Sequence, residues 1–182
     1  MTESTKAKRF QLVVLPHLDS AFNLARWLAR SHHDAEDIVQ EAYLRAFKYF
    51  ESFHGEDGRA WLLGIVRNTF YTWHQQNKAQ AQGSEFDEEL YGMEMEDGPA
   101  TQHADNNPEA LLMQEDSRRQ LHRALEALSV EFREVIVMRE LEDLSYKQIA
   151  AIVGIPIGTV MSRLGRARKR LAEILAATDR DA

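Results

Sequence analysis

Residues 144–171 restrict the fold of this chain more than any other stretch. Ser145 is placed to cap a helix, Gln148 three residues on completes a capping box, and Leu144 and Ile149 sit where a hydrophobic staple would form. Gly154 suits the left-handed position just past that helix, and Pro156 suits the first turn of the next. At about 100° per residue, Val160, Leu164, Ala167 and Leu171 form a narrow apolar stripe on the second helix. Thr159, Ser162, Arg163, Arg166, Lys169 and Arg170 gather on another face. A polar first turn can reach base edges, and the cations stacked behind it can neutralise phosphates. A solvated basic face on an ordinary helical hairpin is the plainer alternative. Caps, turn and charge segregation all agree on the duplex-reading one.

Such a helix-turn-helix conflicts at first sight with a formal net charge of −7. The acidity is local, however. Residues 84–116 hold 11 acidic residues and no Lys or Arg, and the rest of the chain has 22 basic against 18 acidic residues, a balance of +4. The charge therefore does not argue against DNA binding. At 182 residues the chain has room for one large domain or two small ones. With no cysteine, disulfides and thiolate metal sites are excluded. No apolar run approaches the roughly 18 residues of a membrane span, and the first residues lack the apolar stretch of a secretory signal, so a cytoplasmic protein without membrane insertion is expected.

Upstream, residues 7–79 read as mostly helical. Pro16 breaks an opening helix, and Ala21 to Ala29 continues with Phe22, Leu24, Ala25, Trp27 and Leu28. His32, His33 and Asp34 mark a turn in which Asp34 can cap the next helix, Ala35 to Phe50. On that helix Ala35, Ile38, Val39, Ala42, Ala46 and Tyr49 are expected to face inward. Asp37, Gln40, Leu44 and Phe47 cluster opposite, and apolar Leu44 and Phe47 on a polar face suggest either a partner-binding patch or cover by another helix. A loop rich in turn formers, residues 51–58, precedes a long helix from Arg59 to about Lys78. Its core stripe is Leu62, Ile65, Val66, Thr69, Phe70 and Trp73. Away from the stripe lie Trp61, Arg67, Asn68, Tyr71, Gln75 and Lys78, a mixture that suits single-stranded nucleic acid, although such a helix can also be plain core. Bases stack on rings for about 1–3 kcal/mol each while cations follow the backbone.

From residue 80 to 106 periodicity is lost and Gly, Asp, Glu and Gln accumulate, as in a flexible acidic linker. About 25 extended residues reach at most roughly 80–90 Å. That is enough to bridge duplex sites about 20 base pairs, or roughly 70 Å, apart. Asn107 and Pro108 restart helix, carried by Leu111, Leu112, Leu121, Leu125 and Leu128. Ser129 can cap a further helix, Val130 to Leu141. These two would pack behind the helix-turn-helix as a four-helix module. The fold expected is all-α, with two small helical domains, residues 1–80 and 107–182, joined by an acidic flexible linker, 81–106.

Three stretches in this order resemble bacterial RNA polymerase sigma factors of the extracytoplasmic-function subgroup: residues 34–47 (from Asp34 through Gln40 and Glu41 to Phe47), residues 59–68, and residues 132–141 running on through Leu171. The resemblance covers nearly everything except the linker and the ends. It implies a dissociable initiation factor, not an enzyme and without cofactor or metal, whose partners are core RNA polymerase (clamp and flap), promoter DNA and an anti-sigma factor. It assigns core-polymerase binding to Asp37, Gln40, Glu41, Leu44 and Phe47, favouring the partner-patch reading. It places −10 recognition and melting on Phe53, His54, Trp61, Arg67, Asn68, Tyr71, Gln75 and Lys78, with one base extruded into a pocket near the 53–58 loop. The −35 element falls to Thr159, Ser162, Arg163, Arg166, Lys169 and Arg170, and the linker would thread the RNA-exit region. Two departures stand out. Glu56 and Asp57 are acidic where DNA would pass, and Met161 and Gly165 stand where relatives can carry Arg and a bulkier side chain, leaving more of the −35 specificity to DNA shape.

Two other readings compete. A stand-alone helix-turn-helix regulator binding an operator would leave the aromatic helix and the acidic segment without roles. A metal-dependent phosphohydrolase built on His32, His33 and Asp34 would need further ligands, and His17 and His54 do not complete a set.

Overall fold

The computed structural model describes residues 3–81 and 108–181, and all regular structure among them is helical. The expected linker, apart from Ala81, and the capping role of Asn107 lie outside the described residues, as does the Leu111 side chain.

The N-terminal module holds α1 (Glu3–Val13), α2 (Leu18–Ala29), α3 (His32–Tyr49) and α4 (Gly58–Ala81). A 3-10 turn, Leu15–His17, takes up Pro16 and separates α1 from α2. Between α2 and α3 the chain reverses through Arg30, which closes α2 in the left-handed region at φ 61°. Ser31, not Asp34, caps α3: its Oγ accepts from the Asp34 backbone N–H at 3.3 Å. That starts the helix three residues earlier than expected and leaves Asp34 to face the positive end of the helix dipole.

A second correction falls at the end of α3. Ala35, Ile38, Val39, Ala42 and Ala46 are buried as expected, but Tyr49 is 55% exposed. Phe50 points inward in its place, at 1% exposure, because a 3-10 turn, Phe50–Ser52, rotates the chain as the helix ends. In α4, Leu62, Val66, Thr69 and Phe70 are buried on the expected stripe, and Leu63 joins them. Gly58 opens α4 where a Cβ would lie 2.5 Å from the Val13 carbonyl oxygen, so the end of α1 touches the start of α4 only because no side chain intervenes.

The C-terminal module holds α5 (Pro108–Glu126), α6 (Val130–Ile136), α7 (Tyr146–Val153) and α8 (Ile157–Asp181). Helix α8 is packed by α5, α6 and α7. Leu125 and Leu128 of the first segment are buried, but Leu112 and Leu121 are exposed, so α5 joins the core only through its last turns. The expected Val130–Leu141 helix is not uniform: after α6 it widens into a π turn, Val137–Leu141, closed by the Glu142 N–H on the Val137 carbonyl at 3.0 Å. Ser129 stands at the N-cap without a side-chain bond, its backbone carbonyl accepting from Phe132 and Arg133.

The helix-turn-helix follows its sequence closely. Ser145 and Gln148 make the reciprocal capping box at 3.1 and 2.7 Å, Leu144 and Ile149 are fully buried, and Gly154 is left-handed at φ 76°. Pro156 sits one residue before α8, its carbonyl accepting from Thr159 and Val160. Val160, Leu164 and Ala167 are fully buried on the inner stripe of α8.

The two modules share a seam. Helix α4 lies against α7 and α2 against α6, and Trp27 of α2 meets His122 of α5 with ring centroids 4.7 Å apart. Arg133 of α6 is buried and donates to the Glu126 and Leu128 carbonyls beyond α5, at 3.1 and 3.0 Å, and to Leu28 near the end of α2 at 3.5 Å. One cation thus serves carbonyls at two helix C-termini, where the dipole favours positive charge. Burial nevertheless pushes its pKa down to about 10, with Arg30 adding to the shift.

Candidate polymerase and nucleic-acid interfaces

Three surfaces carry the residues expected to function. The first is the outer face of α3. Asp37, Gln40, Glu41 and Leu44 are exposed there, Leu44 at 64%. Arg45 donates to Glu41 at 2.7 Å, one turn apart, in a solvent-facing pair of little energetic weight. Leu44, Arg45, Lys48 and Tyr49 surround an open depression beside Glu41. An exposed leucine and tyrosine framed by charges make a small amphipathic docking face. Phe47 does not belong to it as expected. Its ring is half-buried against Phe10 of α1, edge-on at 5.2 Å, with the Lys6 ammonium 4.8 Å from its centroid. The two sequence alternatives for this face therefore divide: Leu44 faces outward and α1 covers Phe47.

The second surface is the 53–58 loop with α4. His54, Asn68, Gln75 and Lys78 are exposed. Phe53 is only 5% exposed, packed between Phe50 and Trp61, with the Trp61 ring 4.9 Å away. It supports the loop from below and offers no ring face to a base. Asp57 is not simply an acid in the path of DNA. Its Oδ1 accepts from the Ala60 N–H at 2.9 Å, helping to cap α4, and its Oδ2 accepts from Gln148 of α7 at 2.5 Å.

Arg67 and Tyr71 are turned into the seam. Arg67 donates through Nε and Nη2 to the two carboxylate oxygens of Glu134, at 2.8 and 3.1 Å, and Glu134 is fully buried. Burial acts to lower the Arg67 pKa, but the hydrogen bond and charge of Glu134 outweigh it and hold the guanidinium above its ordinary value. The same guanidinium lies 4.5 Å from the Tyr71 ring centroid. The Tyr71 hydroxyl is pushed up to about 12, first by burial and then by the Glu134 carboxylate. A parallel arrangement holds the start of α4. Arg59 donates to Glu142 Oε2 at 2.6 Å and to the Glu142 backbone carbonyl, while Asn23 of α2 donates to Oε1 at 2.6 Å.

None of Arg59, Glu134, Glu142 or Asn23 was singled out from the sequence. One signal was present: Arg133 and Glu134 interrupt the apolar run Val135–Met138, and adjacent charges on a buried segment demand partners from elsewhere.

The third surface is the basic side of α8. Ser162, Arg166, Lys169 and Arg170 are exposed, and Thr159 and Arg163 half-buried. Ser162 Oγ donates to the Thr159 carbonyl at 3.1 Å, and Arg166 Nε to the Ser162 carbonyl at 3.4 Å. Elsewhere on α8, Arg168 donates to Glu140 of the π turn at 2.6 Å, tying the helix to its support; that hydrogen bond is the main cause of its raised pKa. Exposed Met161 stands on the outer side as well. The expected −35 set is thus brought together on one side of a well-anchored helix.

Among the described residues no group of three or more His, Asp or Glu side chains could hold a metal ion. His32 and His33 pair instead with Glu36 and Asp37 one turn on. Among the same residues no single helix is long and apolar enough to cross a membrane.

Comparison with known proteins places both modules. Residues 13–80 match the family described as "Sigma-70 region 2", and residues 118–171 match "Sigma-70, region 4". The "ECF RNA polymerase sigma-E factor" of Escherichia coli K12 is 34% identical over 165 residues, covering 90% of this chain and 85% of the relative. "ECF RNA polymerase sigma factor SigE" of Mycolicibacterium smegmatis is 33% identical over 164 residues, covering 90% of this chain and 60% of that protein. Among solved structures, the sigma factor RpoE in complex with the anti-sigma factor NepR from Bartonella quintana aligns with TM-score 0.75 and 31% identity, covering 93% of this chain and 98% of that one.

Proposed function

This chain belongs to the extracytoplasmic-function sigma factors of RNA polymerase, and we propose, from that premise, how its surfaces divide the work of promoter recognition. It is a promoter-directing transcription initiation factor. The observation that carries this is the occurrence of both sigma regions, in order, in a chain whose 34% identity to a sigma-E factor spans 90% of its length. A stand-alone operator-binding regulator explains the second region and leaves the first without a purpose.

Residues 1–80 would bind core polymerase and engage the −10 element, residues 107–182 would engage the −35 element, and the acidic 81–106 segment would pass through the RNA-exit region. On α3, Asp37, Gln40, Glu41 and Leu44 are the docking face for the polymerase clamp, with Phe47 supporting them from beneath. His54, Trp61, Asn68, Gln75 and Lys78, with Arg67 and Tyr71, form the face for unpaired non-template DNA; Phe53 shapes the loop. Thr159, Ser162, Arg163, Arg166, Lys169 and Arg170 take the −35 duplex, the first two toward base edges and the cations toward phosphates. No step calls for catalysis or a cofactor from this chain, and the site of action is the cytoplasm, where polymerase meets the chromosome. An anti-sigma factor as a further partner is supported by the RpoE–NepR complex, whose sigma subunit shares this fold.

Reconstitution tests the reading. Purified core polymerase with this protein gives promoter-dependent run-off transcripts from genomic fragments; failure to bind core, or transcripts identical with and without the protein, overturns it.

A further inference from the structure

The contacts across the seam are hard to reconcile with simultaneous use of both DNA faces. Asp57 of the −10 loop touches Gln148 of the helix-turn-helix at 2.5 Å, whereas elements about 20 base pairs apart on a duplex are separated by roughly 70 Å. The seam is also chemically specific. Two guanidiniums of α4, Arg59 and Arg67, are each held by a carboxylate of the C-terminal module, Glu142 and Glu134, at 2.6 and 2.8 Å. Carboxylates and phosphates make the same planar, charge-assisted demands on arginine. Arg67 and Tyr71, moreover, lie on the face assigned to unpaired DNA.

We infer that the free protein is self-masked: Glu134 and Glu142 occupy the strand-binding arginines of α4, and the modules must part before the −10 strand can bind. This rests on the assignment of α4 to the unpaired strand. The masking is one-sided. Ser162, Arg166, Lys169 and Arg170 on α8 are exposed in the closed arrangement, so the closed protein presents its duplex face and withholds its strand face. Opening exchanges two intramolecular carboxylates for backbone phosphates.

The chain contains no cysteine, so an Asn23→Cys, Glu142→Cys protein has two unique thiols at positions whose native side chains meet at 2.6 Å. A short, cleavable bis-maleimide closes the seam covalently. Mixed with core polymerase, the cross-linked protein gives at least about tenfold fewer run-off transcripts than the same protein after cleavage. Single-cysteine proteins carrying the reagent match the cleaved form. Equal transcription by cross-linked and cleaved protein overturns the inference while leaving the initiation-factor reading standing. Absence of transcripts from the cleaved and single-cysteine proteins alike overturns both. A second measurement needs no cross-link. The full chain with Glu134→Gln and Glu142→Gln binds a thymidine-rich single strand about five- to tenfold more tightly than wild type, with duplex affinity changed less than about twofold. Unchanged single-strand affinity also overturns the inference.

Discussion

Arg67 of α4 and Glu134 of α6, 67 positions apart in the chain, meet in a two-pronged ion pair at 2.8 and 3.1 Å across the seam between the modules. Glu134 has no exposed surface, and 17% of the Arg67 side chain is accessible. A pair this buried adds little net stability, because desolvation of both charges offsets their attraction, but losing one partner strands the other charge. Its main consequence is the choice of one relative placement of the modules.

Glu134→Gln leaves the Arg67 cation half-buried without a full counter-charge, a penalty of about 3–5 kcal/mol in comparable pairs. The modules can escape it by separating, since each retains its own apolar core. We expect small-angle X-ray scattering to give a larger radius of gyration for Glu134→Gln than for wild type, with helical content by circular dichroism unchanged. An identical radius would show that the pair does not hold the seam.

The α3 face separates two substitutions that the sequence pattern groups together. Leu44 is exposed, so Leu44→Arg should lower affinity for core polymerase by at least about tenfold, in the manner of a hot-spot residue, without changing the melting temperature. Phe47 is wedged against Phe10, so Phe47→Arg should destabilise the N-terminal module itself by about 3 kcal/mol. Urea titration with a core-capture assay distinguishes the two. A stable Phe47→Arg protein would mean that α1 does not cover that ring.

Arg166 is exposed on the basic side of α8. Arg166→Ala should weaken holoenzyme binding to −35 duplex and reduce the slope of log affinity against log salt by about 0.9, the value for one phosphate contact. Fluorescence anisotropy across a salt series reads both quantities, and an unchanged slope removes Arg166 from the phosphate interface.

Gly58 marks where α1 and α4 touch. A Cβ there would meet Val13 Cγ1 at 2.6 Å as well as the Val13 carbonyl oxygen, so relief requires moving backbone. Gly58→Ala should cost about 1–3 kcal/mol of stability, measured by urea unfolding. A stability equal to wild type would mean that α1 shifts away freely.

How much of this was legible depended on how local its cause was. The Ser145–Gln148 box, the left-handed Gly154 and the buried stripe of Val160, Leu164 and Ala167 follow from caps, turn chemistry and helical period within one short stretch, and all stand in the structure. The same reasoning slipped by one residue at Tyr49 and Phe50, where a 3-10 turn changes the angular step, and by three at Ser31 and Asp34, both competent caps. Phe47 and Phe53 read as available aromatics because their covers, α1 in one case and Phe50 with Trp61 in the other, come from chain segments that periodicity on one helix cannot place. The seam was the least accessible feature. Arg67 and Glu134 each look like ordinary helix-surface charges until the modules are set side by side.

Footprinting of the reconstituted holoenzyme on a genomic promoter tests the central claim most directly. The account predicts two protected blocks, about 20 base pairs apart, that appear only with core polymerase present, with permanganate-reactive unpaired thymines in the downstream block alone. A single protected block formed by this protein without polymerase, with no reactive thymines, would contradict it.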